Sequence, residues 1–363
     1  MKEKHIFAGN NTSEGFFSYF DHLLKPEEAD HIYILKGGPG VGKNYFMKKI
    51  GEKMAENNLF IEYIHCSSDD LSLDGLVIPE LKLFFVDGTD PHIIDPVLPG
   101  AIDEIINLGA FLDVHKLNKH KNTIIQTNKA KSNLYESAYR YLRAAGIIYD
   151  EISSIYDLYV DSDKFNQMCE KALSMLFTYS KGTKEGSVRK MFTEAFTAKG
   201  YISYTDLFFE ENEVWAIAGN DTNYSSVFLD RILKEAVKKG YRAECCYRPL
   251  SPKKLQHLYL PEKKLIIVTA ETPIHVKYDK VFDINGIMDV DGIRTHISEI
   301  ERNLHLYGML INNALDKLSE TKKLHDILEV IYSNSMDFDA AEEVMEKYLG
   351  SHSLQDKMAG IIS

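Results

Sequence analysis

The chain repeats itself. Gly37 aligns with Gly219, and that spacing then holds without a gap from Tyr33 to Pro91. Phe46 meets Phe228, Ile50 meets Ile232, Glu62 meets Glu244 and Leu76 meets Leu258. Pro79-Glu80 meets Pro261-Glu262, Lys82-Leu83 meets Lys264-Leu265, and Pro91 meets Pro273. Upstream, GFFSY from Gly15 resembles GYISY from Gly200; downstream, at a shorter spacing, Glu170-Lys171 and Leu173 match Glu346-Lys347 and Leu349. A fixed period this long predicts one supersecondary unit built twice. With 363 residues and 44% hydrophobic content, the chain can bury two ordinary cores. The Gly- and Ser-containing stretch SKGTKEGSV, Ser180–Val188, marks the expected boundary, giving units 1–182 and 183–363.

Within a unit, short apolar runs alternate with amphipathic ones. Copy one offers Ile32–Leu35, then Phe46, Met47, Ile50 and Met54 at helical spacing, then IEYIHC from Ile61 and LKLFFVD from Leu81. Copy two offers AECCY from Ala243 and KLIIVT from Lys264. Strands alternating with helices predict a parallel sheet covered on both faces. Each unit closes on a long helical stretch, about 113–180 and 294–350. In the first, Tyr135, Tyr139, Leu142 and Gly146 share a face, followed by Ile148, Ile152 and Ile155. The expected fold is therefore α/β: tandem P-loop NTPase-like parallel-sheet domains, each with an appended helical hairpin that packs on its own unit or on the other copy.

The chemistry gathers in Gly37-Gly38-Pro39-Gly40-Val41-Gly42-Lys43, which fits G-x-x-x-x-G-K and lies between a strand and a helix as that pattern requires. Glycines let successive N–H groups turn inward around a phosphate. The helix aims its positive end at the same anion, and Lys43 adds a full charge. Asn44 and Tyr45 continue the expected nucleotide-contacting run. Asn44 stands where the pattern closes with Ser or Thr, whose hydroxyl holds Mg²⁺. Its amide oxygen reaches further than a hydroxyl, and Mg²⁺ demands near-ideal octahedral placement, so weakened metal binding or slow turnover is expected. The run Leu83–Val86 ends in Asp87, a Walker B arrangement and the second expected Mg²⁺ ligand.

Copy two has lost these groups. Tyr224 aligns with Gly42, Ser225 with Lys43, Ser226 with Asn44 and Thr269 with Asp87, so GNDTNYSS from Gly219 is expected to be a pseudo-site.

Two polar loops flank the first site. In CSSDDLSLDGLVIPE, Cys66–Glu80, the residues Ser67, Ser68, Asp69 and Asp74 are candidates to hold an acceptor or place an attacking water. Ser and Asp serve capping and turns equally well. In the loop that begins at Asp87, His92, Asp95, Asp103 and Glu104 are near enough in sequence to reach the same cleft. His92 suits acid–base work near neutral pH, or a turn.

A net charge of −12, with both signs mixed along the chain, argues against broad binding to nucleic acid or anionic lipid. No apolar run reaches membrane-spanning length, and MKEKHIFAGNN carries no signal-peptide core. Cys66, Cys169, Cys245 and Cys246 lack paired C-x-x-C spacing and read as reduced thiols, so a cytoplasmic protein is expected.

With these motifs the chain resembles a poorly characterised bacterial family of ATP-binding proteins that carry two P-loop halves in tandem. The resemblance rests on GGPGVGK at Gly37–Lys43, HCSSDDLSLDGLVIPEL at His65–Leu81 and VDGTDPHIIDPVLPGAIDEIINLG at Val86–Gly109, and covers nearly the full length. It implies ATP binding at Gly37, Gly42, Lys43 and Asp87 and, more loosely, ATPase activity. Family members usually carry G-K-S, often in both halves; this chain departs at Asn44 and throughout copy two.

The first expected function is a slow or damped NTPase using copy one alone, with ATP or GTP, Mg²⁺, and Asp69 or His92 to position the nucleophile. A small-molecule kinase is a variant of it. The alternative is a nucleotide-gated switch: copy two is a fixed pseudo-partner, Arg231, Arg248 or Lys253 reaches the nucleotide across an internal interface, and the helical hairpins bind another protein.

Overall fold

The computed structural model describes residues 3–350 except 24, 70, 179–181, 183, 221 and 271–276. Pro273, at the far end of the repeat register, and part of the expected boundary at Ser180–Val188 lie outside the described residues.

The first half runs β1 (Glu3–Phe7), β2 (Gly9–Thr12), β3 (Gly15–Ser18), α1 (Phe20–Leu23), β4 (His31–Lys36), α2 (Lys43–Glu56), β5 (Ile61–His65), β6 (Leu73–Ile78), β7 (Leu83–Asp87), β8 (Asp103–Asn107), α3 (Val114–Lys119), α4 (Lys121–Asp157) and α5 (Ser162–Leu176). The second runs β9 (Val188–Met191), β10 (Glu194–Thr197), β11 (Gly200–Ser203), β12 (Glu213–Ala218), α6 (Asn223–Lys238), β13 (Ala243–Tyr247), β14 (Leu255–Leu260), β15 (Leu265–Ala270), β16 (Lys280–Asp283), α7 (Val290–Arg294), α8 (Ile297–Ser333) and α9 (Phe338–Leu349).

The two six-stranded sheets share one strand order, β1-β5-β6-β7-β4-β8 and β9-β13-β14-β15-β12-β16. Neither is the parallel sheet the sequence predicts. β6 runs antiparallel to β5 and β7, and β14 does the same in the second half, so both sheets are mixed. The extra strand lies inside Cys66–Glu80, read above as a polar loop. Its six residues LDGLVI are all buried, but Asp74-Gly75 in the middle imitates a turn. Gly75 is there for space: a Cβ would lie 3.1 Å from the Phe85 carbonyl oxygen.

Side-chain alternation along the strands divides the core into layers. On β4, Tyr33 and Leu35 face α2, while Ile32 and Ile34 face inward. On β12, Trp215 and Ile217 face α6, while Val214 and Ala216 join Ile34, Val77 and Val86 of the first half. The sheets therefore pack on each other, the longer helices cover their outer faces, and the short α1 adds Phe20 and Leu23 to the layer between them. This corrects the expectation of helices on both faces of each sheet.

The helices are exchanged between halves. Phe165, Cys169, Ala172 and Leu176 of α5 pack into the second half's core, beside Phe228 and Ile232. Ala341, Met345 and Leu349 of α9 pack into the first half's core, beside Phe46 and Ile50. Of the two placements expected for the closing helices, the structure takes the one on the other copy. The long helices pair with each other rather than folding back as hairpins: α4 lies along α8, joined by Ala138, Leu142, Ala314 and Leu318. The Tyr149 ring lies 5.7 Å from that of Tyr307 while Ile155 meets Ile300, so the two long helices run antiparallel. Matching bonds hold each exchange. Asp113 N donates to Ser335 O (2.7 Å) and Asp337 N to Phe111 O (3.0 Å); Asp289 N donates to Tyr159 O (2.8 Å) and Asp161 N to Ile287 O (2.9 Å).

Between the sheets lies a buried cluster of four charges from equivalent positions of the two halves. Lys4 of β1 bonds both Glu62 of β5 and Glu244 of β13, at 3.2 Å to Glu62. Arg189 of β9 reaches Glu62 at 2.8 Å and Glu244 at 3.7 Å. Burial acts to raise the carboxyl pKa values, but Arg189 and Lys4 outweigh it and hold both below the usual range.

Candidate functional site

β4 enters the glycine loop between β7 and β8, with Leu35 directly opposite Asp87. The loop then turns through Gly40 at φ 71° and Gly42 at φ 94°, left-handed conformations that glycine adopts freely. Among the described residues, the backbone N–H groups of Gly40, Val41, Gly42 and Lys43 find no acceptor. These donors cluster at the N-terminus of α2, a 14-residue helix whose dipole adds positive potential.

Lys43 bridges the loop to the end of β7. Its Nζ donates to Gly37 O (2.8 Å) and to Thr89 Oγ1 (2.7 Å), and pairs with Asp87 Oδ2 at 3.0 Å. Asp87 Oδ1 in turn accepts from Thr89 N at 2.9 Å. The sequence reading missed Thr89; its place two residues after the strand-ending carboxylate is the only local signal. Asn44 does something else. Its Oδ1 accepts from Leu73 N at 3.1 Å, tying α2 to the start of β6. At the aligned positions Ser226 Oγ donates to Leu255 O at 2.7 Å. The residue at this position thus fastens helix to strand in both halves.

The flanking residues separate into two groups. Asp74 and His92 come together, both buried, with His92 Nε2 3.2 Å from Asp74 Oδ1 and the His92 ring against Phe16 and Phe20. Burial opposes the imidazolium, but the Asp74 carboxylate and, further off, Asp87 prevail and raise the His92 pKa. Ser67 Oγ, Asp74 Oδ2 and His92 Nδ1 are buried with no hydrogen-bond partner among the described residues. Burial, with Asp74 nearby, pushes the Cys66 thiol well up, which makes it a poor nucleophile. Asp95, Asp103 and Glu104 do other work. Asp95 pairs with Lys36 at 2.9 Å, Asp103 accepts from Val97 N and Leu98 N, each at 2.6 Å, and Glu104 pairs with His31 at 3.2 Å.

The second half roofs the site. A Cβ on Gly38 would lie 2.6 Å from the Tyr332 ring, and one on Gly40 would lie 2.7 Å from Glu329 O, so α8 rests on the loop crest. Lys322 of α8 reaches Asp69 at 3.4 Å, and Tyr135 of α4 donates to Ser68 Oγ at 2.8 Å. None of these long-range contacts has a local sequence signal. Arg231 bonds Asn166 at 2.8 Å, Lys253 pairs with Glu14 at 2.7 Å, and Arg248 lies 4.9 Å over the Tyr149 ring. The second-half cation that reaches a residue flanking the first site is instead Lys322 of α8.

In the second half the aligned turn is closed. α6 begins at Asn223, aligned with Val41, two residues earlier in register than α2. Asn223 N donates to Asp157 Oδ1 (3.0 Å) and Asn223 Nδ2 to Asp157 Oδ2 (2.7 Å), so a carboxylate from the end of α4 sits on this helix start. Asn220 N is taken by Asn285 Oδ1 at 2.9 Å.

Mg²⁺ usually needs one or two protein carboxylates, the remaining ligands being phosphate oxygens and water. Asp87, at the strand end beside the nest, fits that need; the Asn44 oxygen, committed to Leu73, does not. Among the described residues no group of three or more His, Cys, Asp or Glu side chains gathers as a metal site. Nor is any described helix long and apolar enough to cross a membrane. No known family model, curated protein or solved structure matches the chain.

Proposed function

We propose that the first half binds a nucleoside triphosphate, ATP or GTP, with its phosphates in the Gly37–Lys43 nest, and turns it over slowly. The carrying observation is the set of amides at Gly40–Lys43 that have no protein acceptor beside the Lys43 ammonium. Such an array of donors suits a polyanion. Bound Mg²⁺ would be held by Asp87 and supply charge neutralisation at the phosphates. Lys43 would turn from Asp87 and Gly37 toward phosphate oxygen. His92, held through Nε2 by Asp74, would serve as the base only once a water or an acceptor hydroxyl reached its buried Nδ1. With Asn44 holding β6, bound Mg²⁺ would lack a protein ligand from that position, which would slow turnover.

A second reading, the nucleotide-gated switch, is favoured by the contact of α8 with Gly38 and Gly40. Filling the nest bears on α8 and, through α4, on the second half.

Thermal unfolding with ATP and GTP, with and without Mg²⁺, tests the binding. A ligand at a hundredfold excess over its Kd stabilises by about 2.7 kcal/mol, and Lys43→Ala should remove that shift. The absence of a shift with any triphosphate would sink the reading. Asn44→Ser then separates the two: hydrolysis that rises identifies a damped NTPase, and hydrolysis that stays near zero identifies a switch.

A further inference from the structure

Beside the nest a cavity of about 300 Å³ opens between the start of α2 and the exchanged helix α9. Val41, Gly42 and Tyr45 line it from the loop and α2, Leu108 from just beyond β8, and Phe338 and Met345 from α9. The volume is at the lower end of those that hold small ligands, and the lining is mostly apolar, as such sites usually are. Two large rings at this cavity are left half-exposed, Tyr45 at 51% and Phe338 at 47%. Lys49 Nζ lies 5.5 Å over one face of Tyr45, but part-exposed rings next to a phosphate nest suit a nucleobase, since every base has a π-face to stack.

We propose that this cavity receives the base and ribose of the nucleotide, a purine stacked against Tyr45 and Phe338, so that one ligand spans both halves of the chain. The Glu342 carboxylate, also in the lining, accepts hydrogen bonds only and suits an amino-bearing base edge. Half of the nucleoside site then belongs to the second copy, although that copy's own loop is closed. The inference rests on the nucleotide reading above and adds to it a place for the base.

Isothermal titration with ATP and with inorganic tripolyphosphate separates the two ideas. Wild type should bind ATP at least ~10-fold more tightly, the discrimination that stacking on an aromatic ring gives. Ala341→Phe fills the cavity from the α9 side, and Phe338→Ala removes a half-exposed ring with little risk to folding. Both should bring ATP down to the tripolyphosphate level and leave tripolyphosphate affinity unchanged. ATP keeping its full advantage in Phe338→Ala and in a folded Ala341→Phe would overturn the cavity's role. Equal binding of both ligands by wild type would overturn it too, while leaving the phosphate nest standing. Failure of wild type to bind either ligand would remove the nucleotide reading and this inference together.

Discussion

At Gly37–Lys43 and at Gly219–Ser225 a strand enters the same turn and leaves as a helix, yet the two turns end in opposite chemical states. In the first, two glycines take left-handed conformations and the amides have no acceptor among the described residues. In the second, the helix starts earlier and Asp157 occupies its first amide. Both anchoring bonds behind the turn are kept, through Asn44 and Ser226. What distinguishes the two turns is therefore the loop itself and the residue at the neighbouring strand end, Asp87 in the first half and Thr269 in the second. The scaffold beneath, including the helix dipole, is common to both. A helix N-terminus supplies potential, but free amides supply the place for an anion.

The largest expected break in this symmetry is at the shared charge cluster. Arg189→Met leaves Glu62 to Lys4 alone and Glu244 to Lys4 and the half-exposed Arg242, 3.0 Å away, and removing a partner from such a cluster costs about 3–5 kcal/mol. Because the cluster joins both sheets, calorimetry should show one transition moved down as a whole. Two separated transitions would mean that the halves unfold independently. Next in size is the plug of the second turn. Asp157→Ala should cost about 1 kcal/mol, as loss of a helix cap does. Ser333→Ala, at the corresponding end of α8, should stay within about 0.5 kcal/mol. Equal losses in urea titrations of the two would remove the contrast between plugged and open turns. The smallest effect is expected at His92, where the second half's sequence has Ile274. A pKa raised by folding contributes stability below the unfolded value, about 6.5, and that contribution fades as pH rises through the folded one. The stability gap between wild type and His92→Gln should therefore be widest in mild acid and narrow toward alkaline pH. A gap that widens instead would contradict the His92–Asp74 pairing.

Local pattern was enough to place the strand, loop and helix around Lys43, the strand ending in Asp87, and the long helices. Each is written in contiguous residues, through apolar runs, glycines and helical spacing. β6 escaped because Asp74-Gly75 imitates a turn, although Asp74 is buried beside His92 and Gly75 is needed for room. The repeat itself was legible, but the face-to-face packing of its sheets was not. An inner face of Ile32, Ile34, Phe84 and Val86 looks the same in sequence whether a helix or another sheet covers it. The roof over the site was out of reach for a simpler reason. Tyr332 and Phe338 are about three hundred residues from the glycines they touch, and nothing in either segment names the other.

The exchange of α5 and α9 means that cutting the chain between its repeats would divide the sequence but not the fold. Each half would leave behind the helix that seals its partner's outer face. The arrangement is that of two subunits trading tails, with a peptide linker in place of a subunit boundary. In a symmetric pair encoded once, every substitution is made twice, so losing the lysine from one turn loses it from both. A single continuous polypeptide lifts that constraint. Asp157 closes one turn while Gly42 and Lys43 hold the other, and the second copy sends α9 into its neighbour's core.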